Sequence, residues 1–191
     1  SAIGSYNYHL ADYLGKMLTP YISQKYTTKD TFSFVNELSQ ISSKDTFLIS
    51  YDVTSLFTNI PLNETIDIAV NVIFENEPNL KMKKEELKKL FTFATSESHF
   101  IFDGKIYDQI DGVTMGSPLG PVLANLFMGY HEGKWIESYG GPKPIHYKRF
   151  MDDIFCVFKN ETEAIDFLNY LNRQHKNIKF TSEKEEQNKI H

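Results

Sequence analysis

The sequence predicts an α+β fold, an antiparallel sheet with helices packed on one face, and three observations carry that prediction. The segments alternate in the order strand, helices, hairpin, helix, hairpin, helix, strand. Asp103-Gly104, set between the expected strands 100–102 and 105–107, is a strong short hairpin signal. Two acidic clusters, Asp52 after Phe47-Leu48-Ile49-Ser50-Tyr51 and Asp152-Asp153 between Phe150-Met151 and Ile154-Phe155, sit where hydrophobic strands should stop.

Each element follows from its local pattern. Tyr6, Leu10, Tyr13, Leu14, Met17 and Leu18 recur at helical spacing, and the helix stops before Pro20. A second short helix is expected over 31–39, followed by the strand that ends at Asp52. Ile66, Ala69, Val70, Ile73 and Phe74 mark the buried stripe of a third helix, and a lysine-rich helix runs from about 83 to 94. After the hairpin, Ser117 is placed to cap a helix with Pro118 at its first position, and Leu119, Val122, Leu123, Leu126, Phe127 and Tyr130 form its apolar face. The glycine loop before it is either an approach site for an anion or ligand at the helix N-terminus, or an ordinary tight turn. Residues 145–158 read strand, acidic turn, strand. Asn160, with Glu163 three positions on, starts a helix that packs through Ala164, Ile165, Leu168 and Leu171, and an alternating strand over 178–181 follows.

With 191 residues and 41% hydrophobic composition, the chain can bury a sizeable core and is expected to form one globular unit. A single cysteine, Cys156, excludes an intramolecular disulfide framework and lies in an apolar run, so a buried free thiol in a reducing, intracellular compartment is expected, nucleus versus cytoplasm being left open. The sequence has no leading apolar region and no run long enough to span a membrane, so no membrane partner is expected. The sequons at Asn63 and Asn160 therefore read as helix starts. A net charge of -5 argues against a polyanion binder that uses its whole surface, but not against one with an acidic metal centre. Arg149 and Arg173 are the only arginines, so phosphate tracking would fall to lysines such as Lys81, Lys83, Lys84, Lys88 and Lys89, whose plainer reading is a solvated helix face. There is no phosphate-binding Gly-Lys-Ser/Thr loop, nucleophile elbow or paired Cys/His metal spacing, and the histidines are scattered.

The acidic clusters carry the chemistry. Carboxylates on apolar strands are costly, and each pair brought to about 4 Å repels by about 4 kcal/mol at an effective dielectric near 20. A pair of divalent metal ions gripping phosphates is the simplest resolution.

In order and spacing, "YDVTSLF" (51–57), "GVTMGSPLGPVLANLFM" (112–128) and "RFMDDIF" (149–155) resemble motifs A, B and C of reverse transcriptase palms. "TNIPL" (58–62), "MGSPLGPVLANLF" and "IKFTSEKE" (178–185) look most like Penelope-like retroelements, relatives of telomerase reverse transcriptases. The resemblance implies a polymerase palm over about 46–191 with part of the fingers over 1–45, the thumb and any C-terminal endonuclease being absent. It also implies an RNA-directed DNA polymerase that joins dNTPs to a DNA primer on an RNA or DNA template.

By the same resemblance, Asp52, Asp152 and Asp153 are the catalytic carboxylates and, with the main chain of Val53, hold two Mg²⁺ ions, for which Mn²⁺ can substitute. Ser55, Leu56, Phe57, Met115 and Gly116 would line the nucleotide, with Phe57 excluding a ribose 2′-hydroxyl; core packing is the alternative for Phe57. Met115 stands where most reverse transcriptases carry Gln, and Phe150 where they carry Tyr. Phe150, Met151, Ser117 and Pro118 would contact primer or template. Lys184 is a candidate general acid toward pyrophosphate, with a solvent-facing lysine as the alternative. Two other function classes remain: a non-catalytic or incomplete relative that only binds nucleic acid, and another palm enzyme such as a nucleotide cyclase.

Overall fold

The computed structural model describes residues 7–41, 45–95, 99–108, 112–113 and 116–184. The chain divides into two compact units, one made of residues 1–22 and 57–128, the other of residues 23–56 and 129–191.

In the first unit, α1 (Tyr8–Leu18), α4 (Leu62–Asn76) and α5 (Lys84–Thr95) pack together, and α1 runs into a short 3-10 turn over Thr19–Tyr21. Leu14 and Leu18 of α1, Ile66, Ala69 and Ile73 of α4, and Leu87 and Phe91 of α5 are all but fully buried. The lysines of α5 stay exposed, and two of them are tied to α4: Lys88 pairs with Asp67, and Lys84 donates to Asn71 at 3.0 Å. The hairpin expected at Asp103-Gly104 is present as β2 (His99–Phe102) and β3 (Lys105–Asp108), with both turn residues at positive φ. The helix α6 (Gly120–Ser138) starts two residues later than the Ser117 cap suggests, because residues 118–119 form a turn. Within that turn Ser117 Oγ accepts from the Leu119 N–H at 3.4 Å, and its carbonyl accepts from Gly120 at 3.1 Å. The α6 face is also corrected: Tyr130 is 41% exposed, while Met128, Glu132 and Trp135 are buried.

The second unit is built on an antiparallel sheet of order β4-β5-β1-β6, formed by β1 (Phe47–Val53), β4 (His146–Phe150), β5 (Asp153–Phe158) and β6 (Phe180–Lys184). Period-two alternation sends Ile49, Tyr51 and Val53 to a covered face, where α7 (Glu161–Leu171) packs. The Tyr51 hydroxyl donates to the Ala164 carbonyl at 2.8 Å, and the Phe167 ring lies tilted against those of Tyr51 and Phe158. The α7 start is as expected: Asn160 Oδ1 accepts from the Glu163 N–H at 3.0 Å and its amide donates back to the Glu163 carboxylate at 3.1 Å. Its packing face is shifted, since Ile165 is 36% exposed and Phe167 fills the core in its place. The other sequon behaves differently: Asn63 lies inside α4, whose N-cap is Pro61. The last strand begins two residues later than its alternation suggests and runs on to Lys184. Cys156 is a buried free thiol.

The short helix α2 (Thr31–Ser39) forms over the expected residues, capped by Asp30, which accepts from both the N–H and the hydroxyl of Ser33. It lies against the opposite side of β4 and β5, with Phe34 edge-on to Phe155 at 5.4 Å and Glu37 3.2 Å from Lys148. A four-residue helix, α3 (Leu56–Asn59), was not anticipated. No described helix is long and apolar enough to cross a membrane.

Candidate active site

Asp52 reaches the open face of the sheet because its neighbours Tyr51 and Val53, both 0% exposed, take the covered one. Asp153 opens β5 directly across from Asp52 in the β1–β5 register. Residues opposite each other in an antiparallel pair share a face with Cβ atoms roughly 5 Å apart. Asp152 precedes them in the turn. Phe150 pairs with Asp153, so Met151 and Asp152 alone form the β4–β5 loop, and the Asp152 carbonyl accepts from the Val53 N–H at 3.0 Å. Met151 has φ 55, the left-handed conformation that such a loop requires and that costs an L-residue about 1–2 kcal/mol.

The consequence for Asp52 is electrostatic. Partial burial pushes its carboxyl pKa up, and the charges of Asp152, Asp153 and Glu183 push it further. Glu183 sits on β6 across from Ser50, on the same open face. Among the described residues no group of three or more His, Cys, Asp or Glu side chains is arranged to hold a metal ion. The acidic residues that come together are the register pair Asp52 and Asp153, with Asp152 in the adjoining turn. That set suits Mg²⁺, a hard ion commonly bound through one or two carboxylates, with water and substrate phosphates completing the shell.

Directly beneath the turn, on the covered face, lies an ion pair that the sequence did not announce. Arg149 is 0% and Glu132 1% exposed, with Arg149 Nε 2.7 Å from Glu132 Oε1. The Tyr147 hydroxyl donates to the same oxygen at 2.8 Å, and Arg149 Nη1 donates to the Met151 carbonyl at 2.8 Å. Burial pushes the Tyr147 hydroxyl well above its ordinary pKa, and the Glu132 charge adds to it. The main chain of Arg149 is clamped as well, donating to Tyr26 at 2.7 Å and accepting from Thr28 at 2.9 Å. On the open face, a groove of about 290 Å³ between α2 and the hairpin is lined by Phe34, Phe150, Phe155, Lys148 and Asp153. Phe150 at its rim is 60% exposed.

The remaining candidates divide by unit. Val53 and Leu56 have fully buried side chains, which leaves them only main-chain groups to offer, and Ser55 is exposed with φ 48. Phe57, Gly116, Ser117 and Pro118 belong to the other unit. There Phe57 is half-buried and its carbonyl accepts from the Val113 N–H at 2.7 Å. Gly112, at φ 81, allows this approach: a Cβ there would lie 2.7 Å from the carbonyl oxygens of Phe57 and Thr58. Gly116 is exposed at φ 98, and Ser117 and Pro118 are half-buried. Met115 lies outside the described residues, as does the side chain of Lys184, whose backbone pairs with Ile49.

Similar folds occur in known polymerases. Telomerase from Candida tropicalis in complex with a fragment of telomeric RNA superposes with a TM-score of 0.65 at 10% identity, over 93% of this chain and 33% of that one. Telomerase from Candida albicans gives 0.60 at 12% identity over 97% and 34%. The RNA-dependent RNA polymerase of BmCPV at its elongation state gives 0.57 at 14% identity over 93% and 18%. The chain thus spans about a third of the telomerases and a fifth of the viral polymerase. No curated protein matches it in sequence. The profile of the reverse transcriptase (RNA-dependent DNA polymerase) family matches residues 6–187, nearly the whole chain, and the chain belongs to that family.

Proposed function

We propose that the chain is the palm, with part of the fingers over 1–45, of a retroelement RNA-directed DNA polymerase of the Penelope-like type. The observation that carries this reading is the register pair of Asp52 and Asp153 with Asp152 in the adjoining turn, in a chain of the reverse transcriptase family. Asp52, Asp152 and Asp153, with the Val53 main chain, would hold the two Mg²⁺ ions. When bound, those ions lower the pKa of the primer 3′-hydroxyl and neutralise the triphosphate and leaving pyrophosphate.

The chain's own residues do the rest. The β1–β5 pairing fixes where Asp52 and Asp153 stand, and the β4–β5 turn fixes Asp152. Phe150, exposed at the rim of the apolar groove, offers an aromatic surface to the primer terminus, with Met151 beside it. By the family resemblance, Ser55, Leu56, Phe57, Met115 and Gly116 are the candidates for contact with the incoming dNTP, and Ser117 and Pro118 for contact with primer or template. Lys184 is the candidate proton donor to pyrophosphate.

Primer extension with Mg²⁺ and dNTPs on RNA and DNA templates, in the full-length protein, tests the activity. Asp152→Asn should abolish extension while leaving the melting temperature equal or higher, since it removes a like charge along with a metal ligand. Extension that survives this change would defeat the assignment. Phe57→Ala tests sugar choice: a gate that blocks the 2′-hydroxyl predicts a large rise in kcat/KM for ribonucleotides with little loss for deoxynucleotides. A core-packing Phe57 predicts instead an unchanged ratio and a stability loss of about 3–5 kcal/mol.

A further inference from the structure

We propose that Arg149 is a positioning residue which, anchored by Glu132, fixes the orientation of the Met151-Asp152 turn from beneath and so sets where the carboxylates of Asp152 and Asp153 stand. The inference rests on the reading of those carboxylates as metal ligands.

The turn geometry explains why a brace is needed. Asp152 is not among the positive-φ residues, so within the two-residue loop only Met151 is left-handed. A hairpin turn with positive φ at its first position alone normally places glycine there, whereas positive φ at both positions defines the alternative type. The two types differ by rotation of the central peptide, whose carbonyl is that of Met151. That carbonyl is the group that accepts from Arg149 Nη1 at 2.8 Å. The bond therefore selects one orientation of the peptide that leads into Asp152, despite the absence of glycine at position 151.

The cost of the arrangement supports the same reading. Burying a charged pair is costly, and apolar residues of similar volume often replace one with no loss of stability. A leucine or methionine at position 149 would fill the covered face, where the flanking Tyr147 and Ile154 are buried. It would have no donor for the Met151 carbonyl. Arginine supplies a rigid fork that serves Glu132 through Nε and the turn through Nη1 at once.

The test compares two variants of the full-length protein with the parent. One is the neutral triple Glu132→Leu/Tyr147→Phe/Arg149→Met, which removes the whole polar cluster without stranding a charge. The other is Arg149→Lys, which keeps the charge and loses the planar fork. Amide hydrogen exchange and Mn²⁺ binding by calorimetry are read on each. We expect the Asp153 amide, in the Phe150 register pair, and the Val53 amide, which donates to the Asp152 carbonyl, to exchange at least tenfold faster in the triple variant, while those of Ile49 and Tyr51 stay within twofold. Its Mn²⁺ affinity should fall at least tenfold, with Arg149→Lys intermediate in both readouts. Either variant, folded, with parental exchange at the turn and parental Mn²⁺ affinity overturns the proposal; Arg149→Lys decides the matter should the triple fail to fold. Failure of the underlying reading looks different: the parent would bind no Mn²⁺, or Asp52→Asn would bind it equally well.

Discussion

On the covered face of the β4–β5 hairpin, Glu132 and Arg149 stand 2.7 Å apart, both essentially without solvent contact. On its open face, Asp52 and Asp153 are register partners on neighbouring strands. The first cluster is buried and internally compensated, so its charges stabilise one another and specify one arrangement of the strands around them. The second keeps some access to solvent, and partial burial, with its like charges adding to it, raises the Asp52 pKa. A protein that can bury an arginine against a glutamate one layer below could have neutralised the aspartates as well. On the function proposed above, the charge that compensates the aspartates of the open face comes from outside the chain.

Three measurements would break or sharpen this contrast. The largest effect is expected at the buried pair. Arg149→Ala leaves Glu132 buried without its cation and should lower unfolding free energy by about 3–5 kcal/mol in a urea titration; a loss below about 1 kcal/mol would mean that the pair is not compensated as the geometry implies. A change of opposite sign is expected at the open face. Asp52→Asn, in EDTA at neutral pH, should raise the melting temperature, because it removes a carboxylate whose charged form the fold disfavours. The sign follows from linkage: a carboxyl raised in the folded state favours folding fully below its ordinary value of 3.8 and loses that contribution as pH rises through the raised value. The advantage of the Asn variant should therefore shrink as the solution is acidified through that window. Excess Mg²⁺ should reverse the order of the two melting temperatures.

The smallest effect belongs to His146, at the far end of β4. Burial lowers its pKa, helped by the Lys148 charge and opposed by Glu37, whose carboxylate lies 3.8 Å away. A histidine lowered in the folded state contributes stability above its ordinary value of 6.5 that is lost as pH falls through the lowered value. His146→Gln should flatten a shallow decline in melting temperature on that acidic side. An identical decline in the variant would place the responsible group elsewhere.

Much of this was legible in the sequence wherever the signal was local. Asn160 and Glu163 declared a capping box, Asp103-Gly104 a hairpin, and the apolar runs around Asp52 and Asp152-Asp153 the strands that bear them. Where packing rather than local pattern decides, the reading slipped. Ile165 and Phe167 both fit an α7 stripe, and only the position of the sheet selects the phenylalanine. Glu132 looks like a solvent residue in a helix whose neighbours Tyr130 and Lys134 are exposed; its partner Arg149 is seventeen positions away, and no spacing rule links them. Arg149 itself, one of two arginines, had only the neighbouring acidic pair as a hint, and such a hint does not reveal on which side of a strand the guanidinium lies. Likewise, His131 and His175, scattered in sequence, bring their rings to 5.7 Å in the fold.

The two-residue length of the Met151-Asp152 loop constrains how this hairpin can change over generations. Because strand side chains alternate, a one-residue insertion or deletion there that slips the β4–β5 register by one sends every β5 position to the other side, Phe155 inward and Ile154 and Cys156 outward. The same slip would carry Asp153 away from Asp52. Frame errors at this loop thus remove the hydrophobic support and the acidic pair in one event. A descendant that had lost activity but kept its fold should accordingly show substitutions at these aspartates long before any change in the length of the turn between them.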